Sequence, residues 1–278
     1  MHTILTTCIT VNQIFLQSVH LQRTVTVDVY LPTPLINIPN LPLLLINDGQ
    51  DLPKFAFGDM LNQMIADEEM EPMIAIGIYC GTDRKNEYAT ACITDYKGRG
   101  TMAKAYTQFI FEELIPFLRS KYNLPNVREK AFAGFSLGAL SALDIVWNKA
   151  NEFDKVGCFS GSFWWRSASV LTNSYNEDKD RIMHQQVRAG KYAPWLQFYF
   201  MCGTKDETAD RNGNGVIDSI DDTKDLINEL VLKGYNANTS VTYSELEGGT
   251  HDVPTWGKAM PAFLRWGWGL KRYSDEAS

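Results

Sequence analysis

The pentapeptide Gly-Phe-Ser-Leu-Gly at residues 134–138 fits the pattern G-x-S-x-G. A short apolar run precedes it and a stretch of helical character, residues 139–147, follows it, so the sequence predicts a strand, a sharp turn and a helix. Small residues at 134 and 138 let strand and helix approach each other while the serine adopts a strained backbone. Ser136 is therefore the candidate nucleophile, exposed at a helix N-terminus that favours developing negative charge. The alternative is a structural glycine turn.

Short apolar segments alternate with amphipathic ones along the rest of the chain. The first two segments have the alternation of antiparallel strands, whereas later runs such as 43–46 are continuously apolar, as in strands buried on both faces. Strands are predicted near 4–15, 24–31, 43–46, 73–79, 130–133, 156–160, 197–202 and 240–243, and helices near 60–65, 101–118, 139–147, 177–189, 223–233 and from 255. This order predicts an α/β fold, with a mostly parallel, doubly wound sheet and antiparallel N-terminal strands. The 278 residues show no repeat or linker, so one domain spanning 1–278 is expected.

Charge and cysteine content exclude several classes of protein. A net charge of -7 argues against a nucleic-acid or anionic-membrane partner, since both need clustered Lys and Arg. The five cysteines are widely spaced and form no C-x-x-C pair, so neither a disulfide framework nor a zinc site is indicated. No segment is apolar for long enough to cross a bilayer, and the N-terminus lacks the features of a signal peptide. If Met1 is the natural start, a soluble, cytoplasmic protein is predicted; the oligomeric state is not indicated.

A serine nucleophile needs a general base, which is nearly always histidine. The chain has four histidines, at positions 2, 20, 184 and 251. In a hydrolase of this strand and helix order, the serine is followed along the chain by an acidic residue and then by the histidine. Only His251 fits that order, in a glycine-rich loop after the last predicted strand. Taken alone, such a histidine is more often an ordinary surface residue.

The acid and the oxyanion donors follow from the ends of other predicted strands. Asp206 lies on the loop after the strand 197–202 and is the candidate acid, with Glu207 in reserve; a solvated loop carboxylate is the alternative. The backbone N–H of Leu137 is one expected oxyanion donor, and that of Gln50, in the turn after the third strand, is the other. Such chemistry needs no cofactor.

Five segments in this order carry a resemblance to a known family. They are residues 45–51 (LINDGQD), 112–116 (EELIP), 134–138 (GFSLG), 202–206 (CGTKD) and 248–252 (GGTHD), with Trp256 beyond. The chain resembles the esterase D-like, or "putative esterase", family of α/β-hydrolases, which includes ferric enterobactin esterases, feruloyl and acetylxylan esterases and S-formylglutathione hydrolases. The resemblance covers about residues 20–270. It implies the α/β-hydrolase fold and hydrolysis of a small-molecule or carbohydrate-linked ester through an acyl-serine intermediate, and Asp206 matches the family's acid position.

The segment after Asp206 departs from the family pattern because it is longer and more acidic. Within an insertion at 207–222, oxygen-bearing residues recur at EF-hand loop spacing, with glycine at the sixth position and Asp in place of Glu at the end. The loop is similar to the calcium loops of dockerin modules. The predicted ligands are Asp210, Asn212, Asn214, Val216 through its carbonyl, Asp218 and Asp221. A structural calcium is expected; the alternative is a turn capped by Asp221 or Asp222.

Residues on two further loops are candidates for binding substrate. They are Arg84 and Tyr88 after one strand and Trp164, Trp165 and Arg166 after another. The arginines would suit an anionic group and the tryptophans an aromatic or sugar-bearing ester, although both tryptophans could instead cover the core. Three other functions remain open at this point: an acyltransferase that uses the same triad, a catalytically silent binding protein with a hydrolase fold, and a serine peptidase.

Overall fold

A computed structural model describes residues 7–34, 41–122, 124 and 127–270. Eight strands form one sheet in the order β1-β2-β4-β3-β5-β6-β7-β8. The strands are β1 (Cys8–Ser18), β2 (Arg23–Thr33), β3 (Leu43–Asn47), β4 (Ile74–Ile78), β5 (Lys130–Phe135), β6 (Lys155–Phe159), β7 (Gln197–Lys205) and β8 (Val241–Thr250).

The sheet has the predicted mixture of strand directions. β1 pairs antiparallel with β2, and β2 pairs antiparallel with β4, whereas all remaining neighbours are parallel. The fold prediction is therefore confirmed. The first strand was predicted from about residue 4; β1 begins at Cys8, and residues 4–6 lie outside the described part of the chain.

Helices connect the parallel strands. They are α1 (Phe57–Ala66), α2 (Arg84–Glu87), α3 (Ala103–Gln108), α4 (Ile115–Tyr122), α5 (Leu137–Asn148), α6 (Glu177–Asp180), α7 (Ile182–Ala189), α8 (Asp218–Lys233) and α9 (Val253–Trp268), with short 3₁₀ helices at Gly49–Phe55 and Ala150–Glu152. The helix predicted at 101–118 begins at Ala103, without a side-chain cap from Thr101, and its middle, Phe109–Leu114, is a π-helix. The last helix begins at Val253, two residues earlier than predicted.

The core lies on both faces of the sheet, which explains the continuously apolar strands. In β3, Leu44 and Ile46 pack on the face covered by α1 and α9, whereas Leu43 and Leu45 pack on the face covered by α4, α5 and α8. All four side chains are buried. A strand covered on both faces is therefore apolar over most of its length, and the buried Asn47 comes only at the end of β3.

Parallel strands bring several chain segments to one edge of the sheet. β3, β5, β6 and β7 run parallel, so the residues that follow them, Asp48, Ser136, Ser160 and Asp206, lie at the same edge, and β8 brings His251 there. Ligands of open α/β sheets bind at this edge. Among the residues that the structure describes, no helix has both the length and the apolar character needed to span a bilayer.

Candidate active site

Ser136 occupies the sharp turn between β5 and α5. Its backbone has φ 56° and ψ -120°, a left-handed conformation that is costly for a residue with a side chain. A Cβ at Gly134 would overlap the backbone of Gly138, so the strand and the helix can cross this closely only with glycine there. Because Leu137 is the first residue of α5, its N–H has no acceptor within that helix.

A second turn, after β3, lies beside this one. Asp48 also has a left-handed backbone, with φ 60°, and the 3₁₀ helix 49–55 begins directly after it. Gln50 is in the first turn of that helix, where N–H groups have no intrahelical acceptor. The side-chain amide of Asn47 donates to the carbonyl of Gly138 at 2.8 Å and so joins the two turns. The predicted oxyanion residues, Gln50 and Leu137, thus start two helices that are linked through Asn47.

An ion pair between Arg84 and Asp48 strengthens this link. Arg84 donates from Nε to Oδ1 at 2.7 Å and from Nη2 to Oδ2 at 2.6 Å, and Nη2 also donates to the carbonyl of Phe135 at 3.1 Å. One guanidinium therefore contacts both the turn at Asp48 and the residue before Ser136. Arg84 therefore holds the two turns together. Its contact with an anionic substrate group stays a prediction.

Asp206 and His251 follow the neighbouring strands β7 and β8, and hydrogen bonds hold the segments that carry them. The N–H of Gly248 donates to Oγ1 of Thr204 at 2.8 Å, and Asp252 caps α9 by accepting from the N–H of Thr255 at 2.9 Å. His251 Nδ1 lies 4.0 Å from Asp206 Oδ1, which is longer than a hydrogen bond. The other carboxylate oxygen of Asp206 accepts from the N–H of Gly203 at 3.0 Å.

Burial shifts both of these titratable groups. Desolvation lowers the pKa of His251 below its ordinary 6.5; the positive charge of Arg84 acts in the same direction, and the charges of Asp206 and Asp252 oppose it. Desolvation raises the pKa of Asp206, opposed by hydrogen bonds from Ser160 and Gly203 and by the charge of His251. The imidazole is therefore neutral, and able to accept a proton, at neutral pH.

Ser136, Asp206 and His251 line one cavity of about 240 Å³. Ser160, Ser162 and Trp164 complete the side nearest to the nucleophile. The hydroxyl of Ser136 lies 3.2 Å from that of Ser162. The indole N–H of Trp256 donates to Oγ of Ser160 at 3.0 Å, and the Trp256 ring meets His251 edge-on with 5.4 Å between ring centroids.

Glu207 and Ser219 also line this cavity. Of the two candidate acids, Asp206 has the carboxylate near His251, at 4.0 Å, while Glu207 faces the cavity beside it. Ser160, Ser162 and Ser219 were not predicted as site residues. The sequence could have indicated the first two, since Ser-Gly-Ser follows a buried strand at the same edge of the sheet as Ser136. No pattern indicated Ser219, which lies in the first turn of a distant helix.

The predicted substrate-binding aromatic residues separate into two groups. Trp164 is half-buried and lines the cavity. Tyr88 and Trp165 have no exposed surface, so their predicted contact with substrate is corrected. The Tyr88 hydroxyl accepts the N–H of Asp48 at 3.1 Å, and Trp165 packs under the guanidinium of Arg99.

Arg166 does not line the cavity beside Ser136 either. Its guanidinium lies over the ring of Tyr175, 5.8 Å from the centroid. Its predicted role in binding an anionic group therefore has no support from the cavity around Ser136.

Two of the other three histidines, His20 and His184, do not line this cavity. His184 is buried, its Nε2 lies 2.9 Å from the carbonyl of Asp222, and desolvation lowers its pKa to about 3. His20 pairs with Glu112 at 2.8 Å. His2 lies outside the described residues.

The acidic loop 210–221 folds back on itself through its polar side chains. Asp210 accepts from the N–H groups of Asn214 and Gly215 at 3.1 and 2.9 Å. Asp221 accepts from the side-chain amides of Asn212 and Asn214 at 3.0 and 2.8 Å. Among the described residues, no group of three or more His, Cys, Asp or Glu side chains has a metal-binding arrangement.

A charge network fastens this loop to the segment between β6 and β7. Arg211 pairs with Glu177 at 2.6 Å and with Asp222 at 2.5 Å. Arg181 pairs with Asp222 at 2.9 Å and with Asp225 at 2.7 Å. The start of α8, which carries Ser219, is thereby tied to α6 and α7.

Comparisons with known proteins agree with this fold. The model of the family described as "Putative esterase" matches residues 18–266. The enterochelin esterase from Shigella flexneri aligns with a TM-score of 0.70 and 17% identity, over 92% of this chain and 57% of its own. A ferulic acid esterase gives a TM-score of 0.69 and 16% identity, over 94% and 98%, and an IroE-like serine hydrolase from Shewanella oneidensis gives 0.69 and 18%, over 93% and 80%.

Two curated relatives from Bacillus subtilis also match. The uncharacterized protein YbbA of Bacillus subtilis is 25% identical over 133 residues, 46% of this chain and 52% of its own. The uncharacterized protein YjcH of the same bacterium is 22% identical over 211 residues, 75% and 79%. The chain spans little more than half the length of YbbA and of the Shigella enterochelin esterase.

Replacing Asp48 by Ala should lower the free energy of unfolding by about 3 kcal/mol, because it leaves the largely buried Arg84 charge without its partner. Asp51→Ala is the matched control: its partner Lys54 is 60% exposed, and a loss of at most about 1 kcal/mol is expected. Urea unfolding followed by tryptophan fluorescence measures both. Equal losses for the two variants would contradict the assigned role of Arg84.

Proposed function

Since the chain belongs to the family described as "Putative esterase", we propose that it is an esterase-type hydrolase that cleaves carboxylic esters through an acyl-serine intermediate. Ser136 is the nucleophile, His251 the general base and Asp206 the acid that orients it. The observation that carries the proposal is the shared cavity: Ser136, Asp206 and His251 come from three separate strand ends and line the same space.

The first half of the reaction forms the acyl-enzyme. Oγ of Ser136 attacks the carbonyl carbon of the ester while His251 accepts the hydroxyl proton. With Nδ1 of His251 turned toward Asp206, Nε2 is the atom that takes the proton. The 4.0 Å between Nδ1 and Oδ1 should shorten when substrate binds, because catalytic hydrogen bonds often tighten in the complex.

The tetrahedral intermediate carries negative charge on the former carbonyl oxygen. The N–H groups of Leu137 and Gln50 would stabilise that charge, with support from the N-terminus of α5. Arg84 contributes by position, since it holds the turns at Asp48 and Phe135 together.

The second half releases the acyl group. His251 returns its proton to the departing alkoxide, and a water molecule activated by the same histidine then hydrolyses the acyl-serine. An alcohol in place of water would make the enzyme an acyltransferase. Product analysis with an added alcohol acceptor distinguishes the two.

The proteins with similar solved structures suggest the substrate class. Those proteins are described as enterochelin, enterobactin and ferulic acid esterases. By analogy, the substrate proposed here is a small-molecule or carbohydrate-linked ester. The half-buried Trp164 in the cavity wall would suit an aromatic or sugar ring. Catalysis needs no cofactor.

A structural calcium in the loop 210–221 is a separate proposal. Support comes from oxygen side chains at EF-hand spacing and from helix α8, which begins at Asp218, the ninth loop position. The ligands would be Asp210, Asn212, Asn214, the carbonyl of Val216, Asp218 and Asp221. The ion would steady the segment between Asp206 and α8 without taking part in the chemistry.

Ser136→Ala should lower kcat/KM for p-nitrophenyl butyrate by at least about 10³-fold, because the acyl-serine cannot form. Ser174 is exposed and does not line the cavity, so Ser174→Ala is the matched control and should keep full activity. If Ser136→Ala remained as active as the wild type, Ser136 would not be the nucleophile.

The acid limb of the pH profile of kcat/KM should have its midpoint below pH 6.5, since burial lowers the pKa of His251 and only the neutral imidazole accepts a proton. Activity should therefore be lost as the pH falls through that midpoint and be level at neutral pH. Asp206→Asn should move the midpoint lower, because the charge of Asp206 raises this pKa. A wild-type midpoint at or above 6.5 would contradict this account.

Calcium in about hundredfold excess over its Kd should raise the melting temperature by about 5 °C relative to EDTA. Asp210→Ala should abolish the difference, whereas Glu247→Ala, an exposed carboxylate outside the loop, should preserve it. Differential scanning fluorimetry measures this. Identical melting temperatures with calcium and EDTA would rule out the ion.

A further inference from the structure

The cavity beside Ser136 has polar groups that the proposed esterase mechanism does not use. Glu207 and Ser219 line it together with Ser160 and Ser162. Both belong to the segment that departs from the family pattern: Glu207 precedes the acidic loop 210–221, and Ser219 lies near the end of that loop. Their chemistry therefore concerns this chain in particular.

Neither of these two side chains is satisfied by the protein. Oε1 of Glu207 and Oγ of Ser219 are buried, and among the described residues neither has a hydrogen-bond partner. Ser219 itself is only 6% exposed. Buried polar groups are nearly always paired in native proteins, and an unpaired one costs free energy unless a ligand or water completes it.

Glu207 has no cationic partner among the described residues: no Lys, Arg or His nitrogen forms an ion pair with it, and the neighbouring Arg211 pairs with Asp218 and Asp222. Burial raises the pKa of the Glu207 carboxyl; the backbone N–H of Ser219, in the first turn of helix α8, lowers it, and the charges of Asp218, Asp222 and Asp206 raise it.

The two unpaired atoms therefore suit a hydrogen-bond donor. We infer that Glu207 and Ser219 form a subsite for a hydroxyl or ammonium group of the ester, and that they select substrates bearing such a donor a few bonds from the scissile carbonyl. This inference rests on the proposed function, since the subsite adjoins Ser136.

Matched esters that differ by one group test the subsite. The acyl side is examined with ethyl butyrate, ethyl 3-hydroxybutyrate and ethyl 3-aminobutyrate, and the alcohol side with butyl and 3-hydroxybutyl butyrate. For the wild type, at least one donor-bearing ester should have a kcat/KM about tenfold or more above that of its parent. The amino ester separates an ammonium from a hydroxyl preference.

Two variants attribute the preference to the named atoms. Ser219→Ala removes the hydroxyl, and Glu207→Gln keeps an oxygen that can accept the N–H of Ser219 but removes the charge. Each should reduce the donor preference, which is the ratio of kcat/KM for the donor-bearing ester to that for its parent, severalfold. Ser174→Ala and Glu247→Gln, both exposed, are the matched controls and should change neither number.

Binding to the Ser136→Ala protein separates this inference from the esterase proposal. Chemical-shift titration with ethyl 3-hydroxybutyrate and ethyl butyrate, with and without Ser219→Ala, measures affinity independently of turnover. A hydroxyl-dependent affinity that Ser219→Ala removes would support the subsite even if the wild type hydrolysed nothing. Equal binding and equal turnover of parent and donor-bearing esters, or a preference that persists in both variants, would overturn it.

Discussion

The ion pair between Arg84 and Asp48 helps to hold two turns, one after β3 and one after β5, in a fixed position relative to each other. Asp48 follows β3, Arg84 follows β4 and Phe135 ends β5, and these three strands are adjacent in the sheet. A bidentate contact to the carboxylate and a third bond to the Phe135 carbonyl leave the guanidinium little freedom. Two left-handed backbones, at Asp48 and Ser136, lie on either side of it. Their strain persists only because the surrounding contacts determine them so completely.

The sequence predicted the features that depend on burial and on chain order. A strand covered on both faces is apolar over most of its length, so runs such as 43–46 identified the parallel sheet. The glycines at 134 and 138 were informative for a related reason: a Cβ at Gly134 would overlap the backbone of Gly138, and a Cβ at Gly138 would crowd the side chains of Asp48 and Asn47. Once Ser136 had been located, the order of strands left one plausible histidine. These inferences needed only local pattern and topology.

Side-chain direction in the loops could not be predicted in the same way. Tyr88, Trp164 and Trp165 all follow strands at the active edge, yet only Trp164 reaches the cavity. An aromatic residue suits either a core or a binding site, so composition does not decide between them. Arg84 has the same ambiguity, because a cation at this edge of the sheet could bind a substrate anion or pair with a carboxylate of the protein. In the structure it pairs with the buried carboxylate of Asp48. Ser219 lies in the first turn of α8, where the pattern of apolar residues in the sequence indicates which side chains pack in the core and not which ones line a cavity.

The order of cavity residues along the chain has an evolutionary consequence. Asp206 and Glu207 come just before the acidic loop 210–221 and Ser219 lies near its end, while Arg211 ties the loop to Glu177 and Asp222. Insertions or deletions between 208 and 217 would move one wall of the cavity relative to the other and leave Ser136, Asp206 and His251 on their own strand ends. The loop is thus a segment through which descendants of this chain could diverge in the molecules they accept while retaining one chemistry.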